Sequence, residues 1–495
     1  MLDGTIVNIA LPTLAIVLPA STSELQWIVD AYLLVFTGLL LAAGGLGDRF
    51  GRRRVLLTGL VLFGATSAVA GSAGGASELI TGRALMGIGA ALIFPATLAL
   101  LSNVFTDPKE RAAAIGIWSA VSGIAVAAGP IVGGWLLESY WWGSVFFMNL
   151  PVVLVTVVGV ATVVPESRDE HAPKLDRLGL LLSITAISSL VYTIIQAPEQ
   201  GWTDLATIAG FAVAAVLLFL FVRHELRVPH PLLPVKIFSN LRLSAASVAV
   251  TSAFFALFGF IFVITQSFQL IRGYGPLEAG VRTIPVAVAI ALASVLAPKA
   301  VERFGTTAVV TTGLGLMAVG FAWISTASVA TSYLEIAGQM LVVGCGLGLT
   351  TAPTTESIMG SLSADKAGVG SAVNDTTREL GGTLGVAILG SVFSSAYSSS
   401  LRDSTLVAAL PEAARSATED SVGAASVVAG RLGPDAQEYL AVVNQAFLSG
   451  MRGACLVAAG VAAAGALFAH RFLPARAAGA VVADRVEHGV AGPQA

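Results

Sequence analysis

Near the start of the chain, two long apolar runs are separated by the sequence Gly44-Gly45-Leu46-Gly47-Asp48-Arg49-Phe50-Gly51-Arg52-Arg53-Arg54. The arginines of this segment resist burial in lipid, whereas its glycines allow a tight turn between closely packed helices. A related segment, Glu302-Arg303-Phe304-Gly305, follows 254 residues later and again separates two apolar runs. The two segments predict a membrane protein built from duplicated halves, each with a basic turn between two helices.

The composition excludes a soluble globule. Of 495 residues, 55% are hydrophobic and 12% are charged, whereas about a quarter of the residues of soluble proteins are charged. The apolar residues occur in unbroken runs, such as 55–71 and 205–222, and not in the alternating decapeptides of membrane β-barrels. Because only helices and closed barrels satisfy their backbone in lipid, the sequence predicts an all-α polytopic membrane protein.

The apolar runs suffice for fourteen membrane-spanning helices of about 20 residues each. The predicted spans cover residues 2–18, 27–44, 54–72, 78–101, 112–136, 145–164, 178–196, 205–222, 243–271, 279–297, 308–326, 333–356, 367–396 and 442–469. Cations of short loops stay on the cytoplasmic side. The cation-containing segments 49–54, 109–111, 168–177, 223–242 and 299–303 are therefore predicted to be cytoplasmic. With an even number of spans, both termini are cytoplasmic in a multi-pass protein of the plasma membrane.

Two further sequence pairs extend the duplication. Gly82-Arg83-Ala84-Leu85 is similar to Gly338-Gln339-Met340-Leu341, and Arg111-Ala112 is similar to Lys366-Ala367, with offsets of 256 and 255 residues. These near-constant offsets align spans 1–6 with spans 9–14 and leave spans 7 and 8 as an insertion. Two halves of the same orientation imply a substrate site near the midplane between them, exposed alternately to either side. The predicted domains are an N-terminal six-helix bundle (1–164), a linker with the two inserted helices (165–242), a C-terminal six-helix bundle (243–473) and a cytoplasmic tail (474–495).

Several function classes lack the residues that they need. The formal net charge of −3 gives no basic surface for nucleic acid. The chain contains no Gly-Lys dipeptide, so the phosphate-binding loop of ATPases is impossible and ATP is not the direct energy source. Both cysteines lie in apolar runs, all five histidines lie outside the predicted spans, and no HExxH motif occurs. We therefore predict no metal site, no cofactor and no enzymatic activity.

In its position between spans 2 and 3, the Gly44 to Arg54 segment resembles the loop of the fourteen-helix drug/proton antiporters of the major facilitator superfamily, the EmrB and QacA type. The resemblance covers nearly the whole chain, because further motifs of that family follow in the same order. It implies the major facilitator fold, with two six-helix bundles plus two inserted central helices. It also implies a cytoplasmic gate, with matching residues Gly44, Asp48, Arg49, Gly51, Arg52 and Arg53. The arginines additionally anchor the topology.

On span 5, Gly129-Pro130-Ile131-Val132-Gly133-Gly134 resembles the antiporter motif that this superfamily associates with export. Pro130 removes a backbone hydrogen bond and kinks the helix. Gly133 and Gly134 allow a partner helix to cross closely. In its position on span 5, the motif is the main sequence argument for efflux.

Asp3 lies in Leu2-Asp3-Gly4-Thr5-Ile6-Val7-Asn8-Ile9-Ala10-Leu11-Pro12, which is similar to the family's first-span motif. In the family this aspartate lies well inside the span, where a carboxylate costs about 2.5–3.5 kcal/mol on insertion scales and marks a proton or cation site. No charged segment precedes this apolar run. We therefore expect either a short first span, with Asp3 at its cytoplasmic end, or a chain start further upstream.

Arg83 and Asp30 complete the predicted proton-coupling residues. Arg83 is a lone cation in span 4, and the resemblance implicates the matching arginine in proton coupling. Because a guanidinium stays charged, its expected task is to modulate a nearby carboxylate or to hold helix carbonyls. Asp30, near the outer end of span 2, is either a second acidic site or an interfacial residue.

Span 13 carries a second group of charges. Asp375, Arg378 and Glu379 are spaced so that Arg378 can be neutralised within its own helix. The sequence Arg378-Glu379-Leu380-Gly381-Gly382 resembles a recurring family motif, and a coupling or gating role is the alternative to this intrahelical pairing.

A drug cavity is predicted around span 9, which is rich in phenylalanine. A cavity lined by aromatic rings and a few amides suits flat amphipathic molecules, although most phenylalanines of a membrane helix face lipid or core. The candidate cavity residues are Asn8, Trp118, Phe255, Phe258 and Gln266. The family motif at the start of span 6, from Trp142 to Pro151, matches only in part, because Gly143 replaces the usual arginine.

The function implied by the resemblance is secondary active export of amphipathic drugs or antibiotics in exchange for protons, by alternating access across the cytoplasmic membrane. A proton-coupled transporter for uptake or exchange of a specific metabolite is the alternative, and a membrane enzyme or receptor is a third possibility. The expected partners are a small amphipathic substrate, protons and the lipid bilayer. Asp3 and Asp30 permit cationic substrates, but neutral or anionic antibiotics fit the family equally well, and the sequence does not name the substrate.

Overall fold

The computed structural model describes residues 2–104, 107–168, 176–229, 231–362 and 367–474. Fourteen long helices follow one another in this part of the chain, labelled here α1 to α14. They are α1 (Leu2–Val17), α2 (Thr22–Phe50), α3 (Arg52–Gly71), α4 (Ala76–Val104), α5 (Pro108–Ser139), α6 (Asn149–Val163), α7 (Arg177–Gln200), α8 (Leu205–Glu225), α9 (Leu241–Gln266), α10 (Ile284–Phe304), α11 (Thr306–Ile324), α12 (Tyr333–Met359), α13 (Ala367–Arg402) and α14 (Ala436–Phe472).

Shorter helices extend or connect the long ones. Ser144–Phe147 precedes α6, Pro276–Val281 precedes α10, and a π-helical turn, Ser267–Ile271, continues α9. The remaining short segments are 3-10 turns at Val235–Ser239 and Gly433–Asp435 and helices at Thr405–Ala408, Glu412–Asp420 and Val422–Ala429. No strand occurs in the described residues, so the predicted all-α class is confirmed.

Twelve helical segments of the described chain are long and apolar enough to cross a membrane. They correspond to the long helices other than α1 and α5. α1 is apolar but has only 16 residues, and many side chains of α5 lie outside the described part. The predicted count of fourteen spans is thus supported approximately, and the chain is a multi-pass membrane protein.

The duplication predicted from the sequence reappears in the packing. In the first half α1 packs on α5, while α4 packs on α2 and α3; in the second half α9 packs on α13, while α12 packs on α10 and α11. Matching glycines join α2 to α3 and α10 to α11, with backbone φ of +105° at Gly51 and +83° at Gly305. Side chains other than glycine rarely adopt these angles. The domain boundaries themselves stay predictions.

Long-range contacts identify the connections that share one end of the bundle. At the end that carries the α1–α2 connection, the Thr22 hydroxyl donates to the Asp420 carbonyl oxygen at 2.9 Å. This is called the α1–α2 end. At the opposite end, called the α2–α3 end, the Arg53 backbone N–H donates to the Glu166 carboxylate at 3.1 Å. The linker after α6 and the long α13–α14 loop therefore lie at opposite ends of the bundle.

The two halves are joined at the α1–α2 end. The Gln269 amide of α9's π-turn donates to the Ile9 carbonyl oxygen of α1 at 2.8 Å, and the Leu277 N–H donates to the Glu138 carboxylate of α5 at 3.1 Å. These bonds connect helices of the first half directly to helices of the second half. Within the described residues, the two halves are therefore in direct contact at the α1–α2 end.

The inserted helix α7 packs on both halves. It lies against α2 of the first half and α13 of the second. The Ser391 hydroxyl of α13 donates to the Ile194 carbonyl oxygen of α7 at 2.8 Å. An apolar cluster shared by the three helices consists of Leu34, Val191, Ile194, Ile195 and Ala387. The insertion therefore covers the seam between α2 and α13.

Candidate functional site

Asp3 and Arg83 form a buried ion pair within the first half. Arg83 is 0% exposed and Asp3 is 4% exposed, and Arg83 Nη1 lies 2.6 Å from Asp3 Oδ2. Arg83 Nε also donates to the Ile28 carbonyl oxygen at 3.0 Å, and the guanidinium carbon lies 4.2 Å from the centre of the Tyr32 ring. Arg83 thereby ties α4 to α1 and α2. Asp3 lies in the first turn of the 16-residue α1, as expected for a short first span, but its side chain is buried.

A second donor reaches Asp3 from the start of α6. Asn149 Nδ2 donates to Asp3 Oδ1 at 3.1 Å and to Ser67 Oγ at 2.9 Å. The Ser67 hydroxyl in turn donates to the Phe146 carbonyl oxygen at 3.0 Å. Asp3 Oδ2 accepts from the Arg83 guanidinium, and Asp3 Oδ1 accepts from the Asn149 amide nitrogen. The two contacts tie Asp3 of α1 to both α4 and α6.

The sequence analysis missed Asn149 and Ser67. Asn149 lies within the partly matching motif from Trp142 to Pro151. The available signal was an amide side chain at the start of a membrane helix. Ser67 lies within the apolar α3 and gave no signal of its own. Both side chains are buried, so their hydrogen bonds are protected from competing water.

Asp30 is buried in a different place. Its side chain is 0% exposed, and within the described residues neither carboxylate oxygen has a hydrogen-bond partner. Four residues earlier on the same helix face, the Gln26 amide donates to the Val386 and Ala387 carbonyl oxygens of α13 at 3.2 and 2.9 Å. Asp30 therefore faces the seam between the halves and does not join the Asp3–Arg83 pair. Its interpretation as an interfacial residue is wrong.

The charges of α13 pair differently from the expected pattern. Arg378 Nη2 donates to the Thr355 hydroxyl of α12 at 2.8 Å, and Asn374 Nδ2 donates to Asp375 Oδ1 at 3.1 Å. No ion pair within 4 Å links Arg378 to Asp375 or Glu379 in the described chain, and these carboxylates act on Arg378 only through longer-range electrostatics. The expected direct intrahelical pairing is wrong, because Thr355 draws the guanidinium toward the neighbouring helix.

Of the α13 charges, Glu379 lies close enough to Tyr32 of α2 for the two to interact electrostatically. The Arg378 guanidinium carbon lies 5.3 Å from the Phe254 ring centre. Glu379 interacts electrostatically with Tyr32, the residue whose ring covers Arg83. Charged groups from both halves thus approach one another near Tyr32, on either side of the boundary between the halves.

The predicted gate segment is fixed to the first half and to the linker. Asp48 Oδ1 accepts from Arg52 Nε at 2.9 Å and from Arg52 Nη2 at 2.8 Å. The Arg53 guanidinium donates to the Ala161 carbonyl oxygen at the end of α6. The Arg49 guanidinium lies beside the Phe50 ring. A Cβ added at Gly44 would lie 3.9 Å from Pro95 of α4. The segment therefore links α2, α3, α4 and α6.

The predicted antiporter motif lies between the halves at the α1–α2 end. A Cβ added at Gly129 or Gly133 would overlap Thr5 or Ile6 of α1, and one added at Gly134 would lie 2.5 Å from Leu277 Cα. A Cβ at Gly280, in the helix before α10, would lie 2.2 Å from the Pro130 carbonyl oxygen. Only glycines allow α5 to fit between α1 and the second half here.

Each described candidate for the drug cavity is buried or makes a local contact. Phe255 is buried, and Phe258 packs on Gly382 of α13. The amides bond within their own helices: Gln266 Nε2 donates to the Phe262 carbonyl oxygen at 3.0 Å, and Asn8 Nδ2 donates to the Gly4 carbonyl oxygen at 3.1 Å. Trp118 belongs to α5, but its side chain lies outside the described residues.

Comparisons with known proteins agree with this architecture. The family model of the Major Facilitator Superfamily matches residues 1–386. The multidrug efflux pump LfrA of Mycolicibacterium smegmatis is 37% identical over 458 residues, covering 92% of this chain and 90% of LfrA. The methyl viologen resistance protein SmvA of Salmonella typhimurium is 36% identical over 449 residues, covering 90% of each chain. The inward-facing, unoccupied structure of a bacterial homologue of the human lysosomal transporter Spinster matches with a TM-score of 0.71 at 16% identity, covering 96% of this chain and 95% of that one.

Proposed function

The chain belongs to the major facilitator superfamily, and on that premise we propose that it exports amphipathic small molecules from the cell in exchange for protons. The observation that carries the proposal is the buried Asp3–Arg83 pair. A carboxylate held inside a membrane bundle by one arginine is a site where the loss or gain of a proton changes the contacts between helices.

The proposed cycle couples the charge of Asp3 to the closure of the bundle. Ionised Asp3 holds α1 to α4 through Arg83 and to α6 through Asn149. Protonation removes the charge that attracts Arg83, so α1 is released from its partners. Because α1 and α5 carry the contacts that close the α1–α2 end, this release opens the outer passage, and proton loss to the cytoplasm restores the pair.

The orientation in the proposal follows the cations. The α2–α3 end, with Arg49 and Arg52 to Arg54, faces the cytoplasm together with both termini, and the α1–α2 end faces outside. One charge that crosses 100 mV gains about 2.3 kcal/mol, which supports roughly fiftyfold accumulation per proton at 1.36 kcal/mol per factor of ten. The gradient therefore suffices as the energy source without ATP.

The proposed substrates are drugs and biocides that include organic cations. LfrA is named a multidrug efflux pump and SmvA a methyl viologen resistance protein, and methyl viologen is an organic dication. Buried or half-buried carboxylates from both halves, Asp30 and Glu379, offer negative charge near the boundary between the halves. Desolvated cations bind favourably at such sites only when a carboxylate faces them.

Asp3→Asn tests the proposal. In everted membrane vesicles, the variant should abolish the uptake of methyl viologen that a pH gradient drives, while the purified protein stays folded, with an unfolding temperature lowered by the unpaired Arg83. Asp403→Asn, in the exposed loop after α13, serves as the matched control and should transport normally. If Asp3→Asn exchanges protons for substrate at the native rate, the proposal is refuted.

A further inference from the structure

One face of α2 carries a row of buried polar groups that the Asp3–Arg83 pair does not use. Ser23, Gln26 and Asp30 lie one turn apart on this face and are 8%, 0% and 0% exposed. In the described residues, Gln26 Oε1 and both Asp30 oxygens have no hydrogen-bond partner. Buried oxygens of this kind are satisfied by ordered water. Ser23, Gln26 and Asp30 are called here the α2 polar file.

The file begins at a carboxylate supplied by the inserted helix. The Ser23 hydroxyl donates to Glu199 Oε1 of α7 at 2.6 Å, and Glu199 is exposed at the α1–α2 end. The steps along α2 are short, since four residues of helix rise by about 6 Å. A short chain of water molecules can bridge polar groups at such a separation. The file therefore leads from an exposed carboxylate to a buried one.

The file lies in a seam that is otherwise closed. Gln26 is held by α13 carbonyl oxygens, and Ser391 of α13 lies 3.4 Å from the Gln26 amide nitrogen. Leu34, four residues beyond Asp30, belongs to the apolar cluster of α2, α7 and α13. This cluster separates the file from the α2–α3 end. Polar groups therefore connect Asp30 to the α1–α2 end but not to the α2–α3 end.

Acidic groups surround the mouth of the file. Asp420, in the α13–α14 loop, is close enough to Glu199 and Glu419 to interact electrostatically with both, and Arg402 is the cation of this group. Burial raises the pKa of Asp420, and the two neighbouring carboxylates raise it further. On the same helix, the Ile28 carbonyl oxygen two residues before Asp30 accepts from the Arg83 guanidinium, and no ion pair of the described residues involves Asp30. Excess negative charge at the mouth concentrates protons there.

We propose that protons enter from the outer face through the α2 polar file, from Glu199 to Asp30. This inference rests on the proposed function, because it gives the exporter Asp30 as an outer proton acceptor in addition to Asp3, whose charge controls closure. A proton captured by the Glu199 carboxylate passes along water held by Ser23 and Gln26, and the Asp30 carboxylate accepts it. The inserted helices then have a transport role, since α7 supplies the residue that captures the proton.

Glu199→Gln tests the route through its dependence on outer pH. Right-side-out membrane vesicles are loaded with methyl viologen, and efflux is measured while the pH difference across the membrane is held constant. An acidic surface raises the rate of proton capture at least about tenfold when protons are scarce. In Glu199→Gln, efflux should therefore fall about tenfold at an outer pH of about 8. It should fall less than about twofold at an outer pH of about 6, where protons are abundant. Glu438→Gln, on an exposed carboxylate at the same end, is the control and should match the native chain at both values.

Other outcomes separate the route from the function. An equal reduction at both outer pH values would assign Glu199 a purely structural role and overturn the route, as would native rates at both. Glu199→Asp keeps a carboxylate and should restore most of the efflux at high outer pH; its failure to do so also counts against the route. If the native chain shows no response to the pH gradient at all, the proposed function itself fails. If the native chain responds and Glu199→Gln matches it, only the route fails.

Discussion

One buried position of the repeat carries a charged side chain in the first half and an uncharged one in the second. Arg83 on α4 and Gln339 on α12 match in the duplicated sequence, and both are fully buried. Arg83 binds Asp3 and the Ile28 carbonyl oxygen, whereas Gln339 makes one long bond, at 3.4 Å, to the Trp323 carbonyl oxygen. Apolar residues such as Phe260 and Met340 line a small cavity beside Gln339.

The helix packing that the two halves share therefore does not require a buried charge. The same packing of neighbouring helices is achieved around Gln339 without an ion pair, so the fold alone does not explain Arg83 and Asp3. Buried ion pairs rarely stabilise a protein more than apolar packing would. The charged network of the first half is therefore best explained by transport, and its counterpart by packing.

Among the substitutions that test this comparison, Arg83→Gln should lower the stability of the protein most. Arg83→Gln places the second-half residue in the first half and leaves Asp3 ionised without its main partner, which should cost about 3–5 kcal/mol. Thermal unfolding in detergent measures this loss. Adding Asp3→Asn removes the unpaired charge and should recover part of the stability without recovering proton exchange. A single variant as stable as the native chain would contradict the account of the pair.

The next largest effect is expected at Asn149. Asn149→Ala removes the donor to Asp3 and to Ser67, which should lower stability by about 1–3 kcal/mol. Substrate counterflow, which needs no net proton movement, should persist while pH-driven efflux slows, because α6 no longer responds to Asp3. Asn374→Ala on α13, which contacts Asp375 but not Asp3, is the control. Equal losses of counterflow and pH-driven efflux would indicate only a packing defect.

The smallest effect is expected in the second half. Gln339→Leu removes a single long hydrogen bond, and the Trp323 carbonyl oxygen keeps its bonds from the Thr326 N–H and hydroxyl. Stability should therefore change by less than about 1 kcal/mol, and proton exchange should keep its native rate and pH profile. Loss of exchange in this variant would show that both halves carry coupling, contrary to the comparison.

The sequence predicted the fold well because its signals are local. Apolar runs define helices by themselves, and the glycine turns at Gly51 and Gly305 recur with similar positive φ angles. Asp3 and Arg83 were also predicted, through motifs on single helices. Their partner Asn149 was not, because it comes from α6 and meets α1, α3 and α4 only in the folded bundle.

Arg378 illustrates the same limit. Its spacing from Asp375 and Glu379 indicated pairing along one helix, but the guanidinium bonds to Thr355 of α12. Spacing describes only the neighbours that a helix itself supplies, whereas buried guanidinium groups choose among neighbours of several helices. The unpartnered Asp30 carboxylate was likewise unforeseen, since its burial depends on the inserted α7 and on α13.

The position of α7 also makes the two flanks of the transporter unequal toward lipid. On one flank, the seam between α2 and α13 is covered by α7 along the apolar cluster of Leu34, Val191 and Ala387. On the other flank, the first and second halves meet directly, through α5 and the helix Pro276–Val281. An amphipathic molecule dissolved in the inner leaflet therefore finds one side of the protein shielded. We expect its lateral approach to the centre from the side of α5 and α10.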